Sequence, residues 1–187
     1  MNSKDKLYAT LALGLYHRFR KDKCDNCNYN IGEYLEDPYA FEEFVALVMQ
    51  KILGGRTEVT KKSGDGGVDI VHTTDNEKFL VQVKCFAPNI KVDYKPIAIL
   101  HSNMVKENVK AGYFVTTSDY NQNAKKHAEG TNIKLINGAE LAEYWLEHKQ
   151  SWIESPERKS FIDKLLQELD KWFKDFIGGI SLKNKVK

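Results

Sequence analysis

The sequence predicts an α/β fold, in which a central mixed β-sheet is flanked by helices and extended by helical segments at both ends. A helix-like segment is followed by three strand-like runs, and helix-like and strand-like segments then alternate. The 187 residues are enough for one sizeable hydrophobic core. Apolar residues at 42% and charged residues at 29% are typical of a folded soluble protein, and they exclude collagen-like, disordered and disulfide-rich classes.

Two helices are predicted before the first strand. Residues 4–21 carry one apolar face, and the polar residues 22–36 predict a loop. Asp37 and Pro38 predict the start of the second helix, with Asp as the cap and Pro in the first turn, and Gly54 follows its end. The apolar faces comprise Leu7, Leu11, Leu15 and Phe19 in the first helix, and Phe41, Phe44, Val45, Val48 and Ile52 in the second.

The middle of the chain contains the predicted sheet. β-Branched and aromatic residues predict strands, and residues 73–77 predict a hairpin turn between the second and the third of them. Asn137 and Glu140 have the spacing of a capping box for a helix that reaches about residue 149. The predicted strands are 56–60, 68–72, 79–85, 111–116 and 133–136, and the intervening helices run from 93 or 96 to about 108 and from 121 to 129.

A last helix is predicted after Ser155 and Pro156 and ends before Gly178. Its apolar residues follow heptad spacing over only two heptads, which is too short to establish a coiled coil. Two interpretations therefore stay open: the helix packs on its own domain, or it pairs with a second copy in a homodimer. The heptad residues are Ile162, Leu165, Leu169, Trp172 and Phe176.

Charge and hydropathy narrow the classes of partner. The 28 basic and 26 acidic residues give a net charge of +2, so a nucleic-acid partner would have to be attracted by a local groove. No apolar run approaches the ~20 residues that span a bilayer, so no membrane partner is expected. The apolar segment near the N-terminus is followed by basic residues and lacks a small-residue cleavage site, which argues against a signal peptide.

The three cysteines predict a reduced, cytoplasmic protein, because their number is odd and no export signal accompanies them. Cys24 and Cys27 have the spacing of a zinc-ligand pair. A zinc site usually needs a second pair, and His17 is the sole further candidate nearby. A polar loop with two thiols is the competing interpretation.

Residues 64–70 (GDGGVDI) and 81–84 (VQVK) contain the chemically informative pattern. Alternation along a strand places Val81 and Val83 toward the core and leaves Gln82 and Lys84 on the opposite, open face. The predicted hairpin brings Asp69 against these two residues. A carboxylate, an amide oxygen and an ammonium would then meet on one patch.

This set of side chains suits phosphodiester hydrolysis. Mg²⁺ prefers oxygen ligands, and one or two carboxylates with waters are enough to hold it. A bound metal lowers the pKa of a water and polarises a phosphoryl oxygen. A neighbouring lysine can orient that water or neutralise developing charge. At ~100° per residue, Glu42 lies at the edge of the second helix's apolar face and could supply another acid, whereas Glu43 points into solvent.

Several segments together resemble the catalytic domain of Mrr-type restriction endonucleases, a family of the PD-(D/E)xK nuclease superfamily. The resemblance covers about residues 38–146 and depends on the order of its motifs more than on any one of them. The segments are Phe41-Glu42, residues 64–70, VQVK at 81–84, GYFVTTS at 112–118 and INGxxL at 136–141.

The resemblance implies a restriction-endonuclease-like fold and metal-dependent cleavage of double-stranded DNA. It implies Mg²⁺, with Mn²⁺ as an alternative, bound by Asp69, the Gln82 side chain and the Val83 carbonyl, with Glu42 as the acid from the first domain helix. Lys84 would be the catalytic lysine. Gln82 replaces an acid of the wider superfamily, which should weaken metal affinity without abolishing it.

The expected organisation is an N-terminal extension at 1–37, a nuclease domain at 38–150, and a C-terminal helix with a basic tail at 151–187. Restriction or defence is the expected role. A DNA-binding module with an inactive nuclease fold, and a junction-resolving or repair nuclease, are the alternatives. For Thr116, Thr117 and Ser118, which end a predicted strand, helix capping and phosphate contact are both open.

Overall fold

The computed structural model describes residues 2–20, 39–60 and 67–148. The sheet and its helices belong to one compact unit, Met1–Leu146. The described elements are α1 (Ser3–Phe19), α2 (Ala40–Leu53), β1 (Arg56–Val59), β2 (Ile70–Thr73), β3 (Lys78–Lys84), α3 (Tyr94–Lys106), β4 (Ala111–Thr116), α4 (Gln122–Glu129), β5 (Ile133–Ile136) and α5 (Gly138–Glu147).

The five strands form one mixed sheet in the order β1-β2-β3-β4-β5. β1, β2 and β3 pair antiparallel, and the predicted hairpin joins β2 to β3 with Ile70 opposite Val81. β3, β4 and β5 pair parallel, because α3 and α4 carry the chain back between them. The predicted fold class, a mixed sheet flanked by helices, is confirmed.

β3 is the central strand, and helices cover both of its faces. Leu80 belongs to a buried cluster with residues of α3 and α4, among them Ile97 and Leu100. α2 packs against β1, β2 and β3, so Val81 and Val83 are buried on the other side. The prediction of an open face at Gln82 is therefore wrong: this side chain is 3% exposed, because parallel strands are covered on both sides.

Helix ends follow the local sequence with one exception. Asn137 and Glu140 form the predicted capping box, with Glu140 N–H donating to Asn137 Oδ1 at 3.0 Å and Asn137 N–H donating to Glu140 Oε2 at 2.8 Å. α2 begins at Ala40 with Tyr39 at the N-cap and no side-chain cap bond. The prediction that Asp37 caps this helix is thus wrong; Asp37 and Pro38 themselves lie outside the described residues.

α1 buries one face in its second half. Leu15 is 6% exposed, whereas Leu7, on the predicted apolar face, is 51% exposed. The difference follows from what the helix contacts: Phe19 packs on Phe41 and Phe44, while the first turn is held by an ion pair of 2.7 Å between Lys4 and Glu143.

Several sequence predictions fall on segments that the structure does not describe. These are the loop at 22–36 with Cys24 and Cys27, the last helix with its homodimer interpretation, and the basic tail. Within the described residues, no helix is both long and apolar enough to cross a bilayer.

His72 of β2 is fully buried on the same face as Phe79, with ring centroids 5.9 Å apart. Burial lowers the pKa of the His72 imidazole below its ordinary value of 6.5. The unfolded chain therefore binds a proton that the folded chain rejects as the pH falls below 6.5.

We expect the contribution of His72 to the free energy of unfolding to be fully retained above pH 6.5. Below pH 6.5 the free energy of unfolding should fall, by at most ~1.4 kcal/mol for each pH unit. Urea denaturation at pH 7.5 and 5 measures this loss. His72→Leu should remove this part of the pH dependence, and His101→Gln, at a half-buried position of α3, should keep it. Equal pH dependence in wild type and His72→Leu would contradict the assignment.

Candidate active site

The main chain at Asp69 departs from a regular strand. Its N–H donates to the Val81 carbonyl of β3 at 2.9 Å, whereas its carbonyl accepts from the Thr60 N–H beside β1 at 2.9 Å. In a regular strand both groups of one residue point to the same neighbour. The register also pairs Ile70 with Val81, so Asp69 and Ile70 together lie opposite the single residue Val81. Two residues opposite one is a β-bulge. The bulge re-aims the Asp69 side chain, and simple alternation does not predict its direction.

The Asp69 carboxylate takes the place of a missing strand partner. Its Oδ2 atom accepts from the Val83 N–H at 2.7 Å. Continued pairing would offer Val83 the carbonyl of Val68, but that carbonyl accepts from the Thr60 hydroxyl at 2.6 Å. Asp69 thus provides the hydrogen-bond acceptor for the Val83 N–H at the point where β2 ends. The Val83 carbonyl points to the same side of β3 as that N–H.

Gln82 contributes a buried acceptor. Its Oε1 atom is buried, and among the described residues no donor lies within hydrogen-bond distance of it. An unsatisfied buried acceptor costs ~1–3 kcal/mol, so a bound water, an ion or another ligand is expected at this oxygen.

The backbone at Gly67 approaches the Gln82 amide closely. A Cβ atom at Gly67 would lie 2.7 Å from Gln82 Nε2 and 3.3 Å from Ile99 Cγ2, and the φ angle of this residue is +96°. Both the left-handed conformation and the space require glycine here. The sequence pattern identified this residue as part of a glycine-rich turn, but the contact with Gln82 joins segments 15 positions apart.

Lys84 is the last residue of β3 and is half-buried. In the part of the chain that the structure describes, its ammonium forms no ion pair. Its carbonyl is fixed to β4, where the Thr116 hydroxyl donates at 2.8 Å and the Thr117 N–H at 3.3 Å. The backbone of Lys84 is therefore held by two hydrogen bonds to its carbonyl.

The hydroxyls of residues 116–118 hold the segment that follows Lys84. Besides Thr116, Thr117 donates to the Phe86 carbonyl at 2.7 Å, and Ser118 donates to the Ile90 carbonyl. All three residues are buried, and Asn121 caps α4 in their place. Neither the capping nor the phosphate-contact interpretation describes these bonds. Sequence reasoning missed this supporting role because the partners lie 28 to 32 positions away.

Glu42 lies in the first turn of α2, where a carboxylate is favoured by the helix dipole. Its side chain is half-buried, and its Oε2 atom is inaccessible to solvent. Within the described residues, no hydrogen bond or ion pair joins it to Gln82 or Lys84. The structure thus brings Asp69 and Val83 into direct contact, with Gln82 and Lys84 on either side of Val83, and places Glu42 on the helix that covers β3.

The oxygen atoms around Val83 fit a hard divalent cation. Asp69 offers a carboxylate, Gln82 an unsatisfied amide oxygen and Val83 a carbonyl on the Asp69 side, and oxygen donors of this kind are what Mg²⁺ prefers. No cluster of three or more His, Cys, Asp and Glu side chains occurs among residues 2–20, 39–60 and 67–148. A ligand set of Asp69, Gln82, Val83 and Glu42 contains only two carboxylates, so it is compatible with that finding.

Two solved structures share the fold. The DNA modification-dependent restriction endonuclease AspBHI matches with a TM-score of 0.56 and 17% identity, over 90% of this chain and 41% of its own. The MspJI restriction endonuclease, solved in complex with a 27-mer oligonucleotide, matches with a TM-score of 0.52 and 22% identity, over 73% of this chain and 30% of its own. The chain spans less than half the length of either protein.

Among curated proteins, the sequence has no match. The family model for restriction endonucleases, Mrr_cat, matches residues 35–145, which is more than half of the chain and includes β1 to β5. The chain therefore belongs to the Mrr_cat family of restriction endonucleases.

Proposed function

We propose that the chain is a Mg²⁺-dependent DNA endonuclease that hydrolyses phosphodiester bonds, with a role in restriction or defence. The observation that carries the proposal is the buried, unsatisfied Gln82 Oε1 atom, adjacent to a backbone N–H bound by the Asp69 carboxylate. Membership of a restriction endonuclease family supports DNA as the substrate of this site.

In this proposal Asp69, Gln82 and the Val83 carbonyl hold the metal, and Glu42 supplies a further carboxylate from α2. The Asp69 Oδ2 atom already accepts from the Val83 N–H. That bond fixes the orientation of the carboxylate, which preorganises the site. The bound ion would lower the pKa of a water and polarise the phosphoryl oxygens.

Lys84 is proposed as the catalytic residue that acts on the water and the phosphate. Its ammonium can donate a hydrogen bond to the attacking water and offset the negative charge that develops on the phosphoryl oxygens. The bonds from Thr116 and Thr117 fix the Lys84 main chain, so the amine starts from a defined position. The role requires proximity to the metal ligands, and Lys84 lies one residue beyond Val83 on β3.

The proposal is tested by incubating the protein with methylated and unmethylated supercoiled plasmids, with Mg²⁺ or with EDTA. Nicked or linear product in Mg²⁺ alone is the expected result. The methylated arm is included because AspBHI, a relative in fold, is a modification-dependent enzyme. DNA binding without cleavage on every plasmid would contradict the proposal and favour an inactive DNA-binding module.

Lys84→Ala should slow cleavage by roughly 100-fold or more, because a group that stabilises transition-state charge is removed. DNA binding should change by no more than a few-fold, since the effect is on the rate. A plasmid-cleavage time course and a fluorescence-anisotropy titration measure the two quantities. Lys78→Ala is the matched control, because it removes an exposed lysine from the other end of β3. Cleavage by Lys84→Ala close to that of the control would contradict the role.

Asp69→Asn should weaken Mn²⁺ binding tenfold or more, because a charged oxygen ligand becomes neutral. The fold should persist, since the amide oxygen of Asn can still accept from the Val83 N–H. Calorimetric titration with Mn²⁺ measures the affinity, and thermal unfolding checks the fold. Asp75→Asn, at an exposed position of the hairpin, should leave the affinity unchanged. Equal metal binding in both variants would argue against Asp69 as a ligand.

Gly67→Ala should weaken Mn²⁺ binding and slow cleavage. Its Cβ would lie 2.7 Å from Gln82 Nε2, so the amide has to move, and a φ of +96° is strained for alanine. Gly14→Ala is the control, because a Cβ there meets nothing within 4 Å and lies in α1, where alanine favours the helix. If Gly67→Ala folds and binds Mn²⁺ as the Gly14→Ala control does, the Gln82 amide does not contribute to the metal site.

A further inference from the structure

The last turn of α1 and the residue that follows it, residues 16–20 (YHRFR), lie beside both elements that carry proposed catalytic groups. We call this segment the basic turn. It precedes the region matched by the family model, which begins at residue 35, so family membership assigns it no role. Its position comes from two separate sets of contacts.

One contact joins the basic turn to the end of β3. The Tyr16 carbonyl lies 3.9 Å from the Cys85 Sγ atom, and Cys85 directly follows Lys84. The same carbonyl accepts the Arg20 N–H at 2.8 Å, which closes the helix end. The main chain of the basic turn thus contacts the residue next to the proposed catalytic lysine.

The second set of contacts joins the basic turn to the start of α2. The Phe19 ring lies 5.5 Å from the Phe41 ring and 5.1 Å from the Phe44 ring. These two aromatic residues flank Glu42 in the first turn of α2. Aromatic packing on two rings fixes the position of the turn. The basic turn therefore contacts both the residue that follows Lys84 and the helix turn that carries Glu42.

The polar side chains of this segment include two arginines and a histidine. His17 and Arg18 are exposed and Arg20 is half-buried. Aromatic rings support both guanidinium groups: Arg18 lies 5.2 Å from the Phe19 ring centroid, and Arg20 lies 6.0 Å from that of Tyr16. Two permanent positive charges are thus carried by the turn that contacts Cys85 and the start of α2.

We propose that Arg18 and Arg20 of the basic turn bind backbone phosphates of duplex DNA next to the bond that is cut. This inference rests on the proposed function, because it takes DNA as the substrate of the neighbouring site. Arginine suits the task, since its planar guanidinium can donate two parallel hydrogen bonds to a phosphate. Contacts of this kind position the duplex and are independent of base sequence.

Phosphate binding by the basic turn would also explain how a chain of small net charge attracts DNA. A chain with a net charge of +2 has no large field to attract DNA, so cations have to be concentrated at the binding surface. The helix dipole alone favours basic residues at a helix C-terminus. A dipole role predicts lower helix stability when the arginines are removed, whereas phosphate binding predicts lower DNA affinity and a weaker salt dependence.

The test compares the full chain with Arg18→Gln, Arg20→Gln and the double variant. Lys6→Gln is the matched control, because it removes one exposed cation from the opposite end of α1, ~18 Å away along the helix. Binding to a fluorescent 30-base-pair duplex is titrated with Ca²⁺ in place of Mg²⁺ at several salt concentrations. Thermal unfolding and Mg²⁺-dependent plasmid cleavage are measured on the same preparations.

We expect each arginine variant to bind DNA roughly tenfold more weakly. The slope of log affinity against log salt should fall by about 0.9 for each phosphate contact that is lost. Lys6→Gln should match wild type. If the arginine variants bind DNA like Lys6→Gln, or lose only thermal stability, the inference is overturned while cleavage by wild type still supports the proposed function. If wild type binds DNA with a salt-dependent affinity but never cleaves it, the proposed function fails. The comparison of DNA affinity between wild type and the arginine variants then still decides the inference.

Discussion

The structure depends on how the backbone N–H and carbonyl groups of the central strand β3 find hydrogen-bond partners. β4 pairs with it from Phe79 to Lys84, but the pairing with β2 ends at Val81. A buried N–H without an acceptor is costly, so something has to replace β2 at Val83. The Asp69 carboxylate does so at 2.7 Å, and the bulge preceding β2 directs it there. One requirement of backbone hydrogen bonding thus places a carboxylate at the edge of the sheet.

Other polar groups are buried around this point, and most are satisfied by the main chain. The hydroxyls of residues 116–118 donate to carbonyls at the end of β3 and in the segment that follows it, and they tie that segment to the end of β4. Gln82 differs from them, since its Oε1 atom has no donor among the described residues. The hydroxyls that support the Lys84 segment are thus satisfied by the main chain, whereas the Gln82 oxygen beside them is left to accept from a ligand.

The N-terminal helix adds to this arrangement from outside the family-matched region. Its buried half packs on α2 through Phe19 and reaches Cys85 at the end of β3. The two solved relatives are more than twice as long as this chain.

The sequence by itself determined the fold class, the strands within about two residues, and the capping box at Asn137 and Glu140, because these depend on residues close together in the chain. The grouping of Asp69, Gln82 and Lys84 into one site, which the sequence indicates through motif order, stays a prediction. Only the tertiary structure decided that Gln82 is buried, that Asp69 binds the Val83 N–H from a bulge, and that residues 116–118 support the Lys84 segment. Each of these depends on groups that are 14 or more positions apart or on helices that cover a sheet face, and strand periodicity carries no information about such partners.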